Sequence, residues 1–175
     1  MTHSTKNDVP YLEVRDIVKR FGGVTALDGV SLRVYSGEVL CLAGENGCGK
    51  STLIKIISGV QPPDAGTILI DGEAIPSLNP LSAMTAGIQV IYQDFSLFPN
   101  LTVAENIAMT RTVVEKHKLY KAPEAHDVAK AVIERLGVDL PLDSDVIDLS
   151  VADKQLTAIC RALASDAKLL IMDEP

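Results

Sequence analysis

The chain has 175 residues, of which 47% are hydrophobic and 22% are charged, and its formal net charge is -7. This composition predicts a globular domain with its own core, and the negative charge argues against nucleic acid or anionic lipid as the main partner. Three cysteines without paired spacing argue against a disulfide framework or a zinc site and favour a reducing cytosol. We expect no signal peptide in the polar first residues, and no apolar run is long enough to cross a bilayer.

The first third of the chain predicts a polar tail followed by three strands. Residues 1–10 are typical of a disordered tail, whereas 11–17 and 30–34 alternate apolar and polar side chains, as half-buried strands do. We expect these two strands to be antiparallel and to lie beside a third strand, the apolar run 39–43. Phe21 lies between the first two strands, next to two glycines. It either stacks on a flat base or anchors the core, and the sequence favours neither.

A glycine-rich loop follows the third strand and leads into a helix. Its nine residues are Gly44, Glu45, Asn46, Gly47, Cys48, Gly49, Lys50, Ser51 and Thr52. They match the pattern G-x-x-x-x-G-K-[ST] between a strand and a helix, the context which that pattern requires. Glycines let backbone N–H groups approach phosphate oxygens closely, and the helix directs its positive end at the same anion. Lys50 supplies a charge for the β- and γ-phosphates, and the Ser51 hydroxyl is a ligand for Mg²⁺.

The following elements alternate between helices and strands up to residue 92. We expect a helix from Lys50 to Gly59, which Pro62 and Pro63 prevent from continuing. The pattern then predicts a strand over 66–72, a helix over 80–86 and a compact buried strand over 88–92. Gln93 follows that strand, and an amide at this place can bind Mg²⁺ or position water.

The stretch 94–149 has no strand pattern and predicts a helical region. Thr102 can cap one helix, 111–121 is typical of a surface connection, and a second helix runs from Pro123 to Gly137. Ser150 is a good N-cap for a third helix, with Asp153 completing a capping pair. A capped helix start is also an anion site, although a cap with no other role is the simpler interpretation.

The last residues predict a buried parallel strand, 168–172, that ends in the carboxylates of Asp173 and Glu174. Beside the phosphate loop, Asp173 would hold Mg²⁺, and Glu174 would orient or deprotonate the attacking water. A strand that ends in solvated acids is common, so this interpretation depends on the loop upstream.

The cysteines suggest no separate chemistry. We expect Cys41 and Cys160 to be small buried hydrophobic residues. Cys48 lies in the phosphate loop, where a thiolate could be oxidised, but a small residue at a tolerant position is the simpler interpretation.

Together these elements resemble the ATP-binding subunit of ABC transporters over almost the whole chain, from Tyr11 to Pro175. The resemblance is carried by six features: Walker A (Gly44 to Ser51), the Q-loop glutamine (Gln93), Walker B (Leu169 to Asp173), the catalytic glutamate (Glu174), the adenine-stacking aromatic (Phe21) and the signature serine (Ser150). The run from Gln93 to Ile107 is most similar to the first cassette of monosaccharide importers, which carry two cassettes in one polypeptide.

The resemblance implies an α/β fold: a P-loop NTPase core with an antiparallel β subdomain and an inserted helical subdomain, with the C-terminal part missing. The core comprises 11–92 and 166–175, and the helical subdomain comprises 93–165. ATP and Mg²⁺ are the implied cofactors, with Lys50, Gln93 and Glu174 catalytic and with Ser51, Gln93 and Asp173 as metal ligands. The implied partners are a second cassette, transmembrane permease subunits and, indirectly, a solute-binding protein, at the inner face of the cell membrane.

Two departures leave alternatives open. The family signature Leu-Ser-Gly-Gly-Gln is altered here by Val151, Ala152 and Asp153, which puts in doubt the close approach of this segment to the partner's γ-phosphate. No histidine follows Asp173, so the switch histidine has no match, and we interpret the chain as an N-terminal piece. Besides an importer ATPase, the alternatives are a nucleotide-binding fragment without turnover and an ABC ATPase acting on nucleic acid. The compact, acidic chain argues against the last.

Overall fold

The computed structural model describes residues 9–92, 94–115 and 122–173. Its strands are β1 (Leu12–Phe21), β2 (Val24–Val34), β3 (Ala65–Ile70), β4 (Glu73–Ala74), β5 (Ile88–Ile91) and β6 (Leu169–Met172). Its helices are α1 (Lys50–Ile57), α2 (Pro80–Ala86), α3 (Val103–Glu115), α4 (Ala122–Leu136) and α5 (Val151–Ala164). The chain divides into two compact units, Met1–Ala86 and Gly87–Pro175, and each is described separately.

The first unit is built on a four-stranded antiparallel sheet. Its strand order is β2-β1-β3-β4, so β1 lies between β2 and β3. Leu12 pairs with Val34 on one side and with Ile70 on the other. The predicted antiparallel pairing of the first two strands is therefore confirmed, and the strand predicted over 66–72 is the third member of this sheet.

Apolar side chains from β1, β3 and α1 supply most of the core of this unit. Leu12 and Val14 share one face of β1, and a register shift between Val14 and Ile17 also buries Ile17, while Arg15 and Asp16 are exposed. α1 buries one face and exposes Lys55. The buried residues of α1 and β3 are Leu53, Ile54, Ile56, Ile57, Ile68, Leu69 and Ile70.

The predicted strand over 39–43 is wrong. These residues lie in irregular backbone before the phosphate loop, and Val39 is 97% exposed. An apolar run becomes a strand only when neighbouring strands take up its N–H and C=O groups. Within the described residues of the first unit, the sheet contains no strand paired with it. Cys41 lies in this run and is exposed, so its predicted burial is wrong for the same reason, whereas that of Cys160 is confirmed.

The second unit combines a parallel strand pair with a helical cluster. β5 and β6 pair in parallel, with Ile88 opposite Leu169 and Ile91 opposite Met172. Helices α3, α4 and α5 contact one another around a shared apolar core. The buried members of that core are Val103, Ala104, Ile107, Ala129, Val132, Leu140, Val146, Cys160 and Ala164.

Three details of the second unit differ from the sequence predictions. α3 continues to Glu115, so the predicted surface connection at 111–121 is wrong in its first five residues, which include no glycine or proline to end a helix. The strand before Asp173 is parallel as predicted but only partly buried, since β5 is its one described partner. β5 and β6 group with the helices and not with the first sheet, while the division into core and helical subdomain stays a prediction.

No helix among the described residues has both the length and the apolar character needed to cross a membrane. Residues 1–8 of the predicted tail lie outside the described residues.

Candidate nucleotide site

The phosphate loop is shaped by glycines whose backbone other residues rarely adopt. Gly47 has φ 84° and Gly49, which precedes the first residue of α1, has φ 97°. A Cβ on Gly49 would also lie 2.5 Å from the carbonyl oxygen of Ala26 and 2.8 Å from Leu27. The glycine thus allows the loop to lie directly against β2, and the start of α1 is fixed by that contact.

Lys50 folds back over the loop. Its Nζ donates hydrogen bonds to the carbonyl oxygens of Gly44, at 2.7 Å, and Glu45, at 2.9 Å. The Sγ of Cys48 lies 3.7 Å from the same ammonium group. The backbone N–H of Cys48 donates to the Glu45 carbonyl oxygen at 3.3 Å and closes the turn. The loop therefore concentrates a positive charge where the first turn of α1 begins.

The N-terminus of α1 is open to an anion. The first backbone N–H groups of any α-helix have no partner within the helix. Gly49 provides no side-chain cap, and the first turn of α1 contains no acidic residue that would occupy this position. Ser51 in that turn is exposed. The loop and the first turn of α1 thus supply free amides, an ammonium group and a hydroxyl, the groups that binding of a phosphate with its metal ion requires.

Phe21 lies at the end of β1, where it pairs with Val24 of β2. It is 47% exposed, so the interpretation of Phe21 as a core anchor is wrong. The Nζ of Lys19 lies 5.7 Å from the centre of the Phe21 ring. The ring is available for a flat partner, although the stacking role itself stays a prediction.

The second predicted cluster is described only in part. Asp173 directly follows β6, and its N–H donates to the carbonyl oxygen of Ile91 at 3.0 Å. This bond extends the parallel pairing of β5 and β6 by one residue, to Asp173, which is half-buried. Gln93 and Glu174 lie outside the described residues, so their predicted roles stay predictions.

Ser150 acts as the N-cap of α5. Its Oγ accepts a hydrogen bond from the N–H of Asp153 at 3.1 Å and donates one to the Asp153 carboxylate at 2.7 Å. The predicted capping pair is therefore confirmed. Because the Asp153 carboxylate lies in the first turn of α5, this helix start already holds a negative charge, unlike the start of α1. Contact of Ser150 with a γ-phosphate stays a prediction.

Sequence reasoning missed Lys19 and Arg161. Lys19 is a buried cation in a strand, and its position two residues after buried Ile17 was the available signal. Arg161 donates to two backbone carbonyls of the segment that follows Gln93, at Phe95 and Ser96. No sequence pattern indicates the backbone turn that presents those carbonyls.

Comparison with known proteins places this geometry in a family. The family model described as ABC transporter matches residues 27–175, which is most of the chain. The chain belongs to the ABC transporter family. The resemblance drawn from the phosphate loop and the Walker B strand is therefore confirmed.

Curated relatives of this ABC transporter chain are sugar-import proteins by name. It is 49% identical over 176 residues to "Ribose import ATP-binding protein RbsA 1" of Streptomyces coelicolor and 45% identical over 167 residues to "Ribose import ATP-binding protein RbsA" of Rhodococcus jostii. These matches cover 100% and 95% of the chain, but 35% and 33% of the relatives. The chain thus spans about a third of the length of the curated relatives it matches.

Solved structures confirm the predicted α/β cassette fold. A nucleotide-free ATP-binding cassette from an ABC transporter matches with a TM-score of 0.80 and 31% identity, and a cassette in its ADP conformation matches with 0.79 and 32%. Each match covers 95% of this ABC transporter chain and 69% of the solved chain.

Proposed function

We propose that the chain is an ATP-binding and ATP-hydrolysing cassette that drives import of a sugar, with ribose as the first candidate. The observation that carries this proposal is the open start of α1, where a loop held against β2 and the first helical turn supply Lys50, the Ser51 hydroxyl and free amides. The names of the curated relatives support the choice of a sugar.

The residues present suit Mg-ATP. The hydroxyl of Ser51 and the carboxylate of Asp173 are hard oxygen ligands of the kind Mg²⁺ prefers, and Gln93 adds an amide oxygen. When bound, the metal neutralises charge on the β- and γ-phosphates. Lys50 would hold the same phosphates, and the loop glycines would admit them close to the backbone. Glu174 would orient the attacking water or accept its proton.

The wider assembly is part of the same proposal. The partners would be a second cassette, transmembrane permease subunits and, through these, a solute-binding protein. The cassette would lie in the cytoplasm at the inner face of the membrane. The segment after Gln93, which Arg161 holds, would transmit closure of the cassettes to the permease.

Nucleotide binding without turnover is a second candidate. The capped, acidic start of α5 favours it, because the Asp153 carboxylate adds a negative charge to the helix start that the signature resemblance would bring to the partner's γ-phosphate. Phosphate release measured with Mg-ATP separates the two candidates. Turnover that Glu174→Gln abolishes supports hydrolysis, whereas binding with no phosphate release supports the second candidate.

Thermal unfolding with and without Mg-ATP tests the phosphate site directly. A ligand at about 100 times its Kd stabilises the folded state by about 2.7 kcal/mol. We expect this gain in the wild-type chain and in Lys55→Ala, which removes an exposed lysine from the last turn of α1. Lys50→Ala should abolish it. A gain that survives Lys50→Ala would contradict the assigned phosphate site.

Uptake of radiolabelled ribose tests the cargo. Cells from which the corresponding gene is deleted should lose ribose uptake. The intact gene should restore it, and the same gene with Lys50→Ala should not. Unchanged ribose uptake together with lost galactose uptake would change the assigned sugar but keep the import function.

A further inference from the structure

Lys19 is a buried cation at the end of β1. The residue is 8% exposed, and its Nζ donates to the carboxylate of Asp64 at 2.9 Å and to the carbonyl oxygen of Pro62 at 2.8 Å. A buried ammonium group needs such acceptors, because its transfer out of water is otherwise very costly. These two hydrogen bonds hold the Lys19 ammonium group in one position.

Asp64 is itself held by the backbone of β1. Its second carboxylate oxygen accepts the N–H of Arg20 at 2.7 Å, and its own N–H donates to the carbonyl oxygen of Val18 at 2.8 Å. The hydrogen bonds from Lys19 and Arg20 lower the pKa of Asp64 below its usual range. The carboxylate therefore stays charged at neutral pH, and the Lys19 ammonium is held by a fixed anion.

The held ammonium lies beside the Phe21 ring. Its distance of 5.7 Å from the ring centre is within the range of a cation–π contact. Without this contact, an aromatic side chain at an exposed strand end would exchange between rotamers. A ligand that stacks on the ring would then have to order it, at a cost in conformational entropy. The ammonium group lies over one face of the Phe21 ring, and Phe21 is 47% exposed. The ring can therefore stack on one flat group at its other face.

Phe21 pairs with the strand that the phosphate loop contacts, β2. Phe21 pairs with Val24, and Ala26, two residues further along β2, is the residue whose carbonyl oxygen Gly49 approaches. Two strand residues span about 7 Å. A nucleoside triphosphate can therefore have its phosphates at the loop and its base at Phe21.

We propose that Lys19, anchored by Asp64 and the Pro62 carbonyl, is a positioning residue that fixes Phe21 as a one-sided platform for the adenine ring. The inference rests on the proposed ATP binding of this chain. It assigns to Lys19 a contribution to recognition of the base and none to recognition of the phosphates.

The absence of tryptophan from the sequence allows a direct test. In the Phe21→Trp chain, the single indole reports on the platform. We expect ATP to quench its fluorescence, and tripolyphosphate to leave it unchanged. Adding Lys19→Met should lower the anisotropy of the indole in the free chain and weaken ATP binding about threefold, a loss typical of one cation–π contact. Tripolyphosphate affinity, measured by competition, should not change.

Two further variants keep the test decisive. Arg20→Met removes a charge of the same sign from the neighbouring, exposed side chain and keeps the backbone N–H that donates to Asp64. It should therefore change neither the anisotropy of the indole nor the affinity for ATP. Asp64→Asn releases the ammonium without removing it and should reproduce the effect of Lys19→Met in part. It also serves as the test variant if thermal unfolding shows that Lys19→Met does not fold.

A double-mutant cycle distinguishes positioning from general stabilisation. In a Phe21→Ala background, Lys19→Met should weaken ATP binding no further. Equal losses for ATP and tripolyphosphate, or a full additional loss without Phe21, would overturn the inference and leave the proposed function intact. A wild-type chain that Mg-ATP does not stabilise would overturn both.

Discussion

The guanidinium of Arg161 donates to the carbonyl oxygen of Phe95 at 2.9 Å, with a second bond to that of Ser96 at 2.7 Å. Phe95 and Ser96 have φ of 56° and 46°, a region that residues with side chains seldom adopt. One side chain of α5 thus holds two consecutive strained residues, which lie two and three positions after Gln93 in the sequence. Burial lowers the pKa of Arg161, but a guanidinium remains charged in proteins.

We expect Arg161→Met to release this segment. Two carbonyls lose charged donors, so the free energy of unfolding should fall by about 2 kcal/mol. Hydrogen exchange should accelerate in residues 94–98, and the α3 amides should keep their protection. Arg135→Met, at an exposed position of α4, is the matched control. Unchanged exchange in 94–98 would show that the turn holds its shape without Arg161.

Gly49→Ala should disrupt the phosphate loop. The new methyl group would meet the Ala26 carbonyl oxygen at 2.5 Å on a backbone with φ 97°. Strain of this kind costs on the order of 1–3 kcal/mol at one residue, and the contact with β2 adds to it. We expect a lower unfolding midpoint in urea and no stabilisation by Mg-ATP.

Gly23→Ala is the control for that loss. A Cβ there meets no atom within 4 Å, and its φ lies outside the left-handed region. We expect wild-type stability and an unchanged response to Mg-ATP. Equal effects of the two substitutions would contradict the close approach of the loop to β2.

Alkylation of Cys48 should block nucleotide binding. Cys48 is exposed and its Sγ lies 3.7 Å from the Lys50 ammonium, whereas burial raises the pKa of Cys160 to about 11 and makes its thiolate scarce. In a Cys41→Ser chain, Cys48 is then the one exposed cysteine. Iodoacetamide should abolish stabilisation by Mg-ATP, and bound Mg-ATP should slow the modification, as mass spectrometry would show. Modification at an equal rate with and without nucleotide would place the phosphates elsewhere.

Glu13 should make stability depend on pH in acid. Hydrogen bonds from Arg15 and Arg33 lower the pKa of Glu13 from 4.5 to about 2. Since the unfolded chain takes up this proton near pH 4.5 and the folded chain only near pH 2, the contribution is complete above pH 4.5. It is lost as the pH falls towards 2.

Urea unfolding at several pH values between 2 and 5 measures this term. Glu13→Gln should lower the midpoint at pH 5 and flatten its decline towards pH 2. Glu134→Gln, on the exposed face of α4, should retain the wild-type slope. A Glu13→Gln chain with the wild-type slope would assign the acid sensitivity to other carboxylates.

The phosphate loop, the pairing of β1 with β2 and the capped start of α5 could be predicted because each is encoded locally. Glycine at fixed spacing before Lys50, alternation in β1, and Ser150 three residues before Asp153 each specify a short-range geometry. Residues 39–43 could not be predicted in this way. Their apolar pattern is that of a strand, but strand formation depends on partners distant in sequence.

The contacts of Lys19 and Arg161 were missed for a related reason. Each depends on carbonyl oxygens presented by a loop, at Pro62 for Lys19 and at Phe95 and Ser96 for Arg161. At Phe95 and Ser96 that loop has positive φ at residues other than glycine, which is a compromise between local strain and tertiary contacts. The identity of a single residue therefore does not predict such a loop conformation.

The hydrogen bonds from Lys50 to the carbonyl oxygens of Gly44 and Glu45 affect how the loop binds a phosphate group. An incoming phosphate meets an ammonium that is already shared between two carbonyls, so association is an exchange of partners. The gain in free energy is the difference between two sets of hydrogen bonds, which is far smaller than the attraction of isolated charges. In return, the loop keeps a defined shape before its ligand arrives, and little ordering remains to oppose binding.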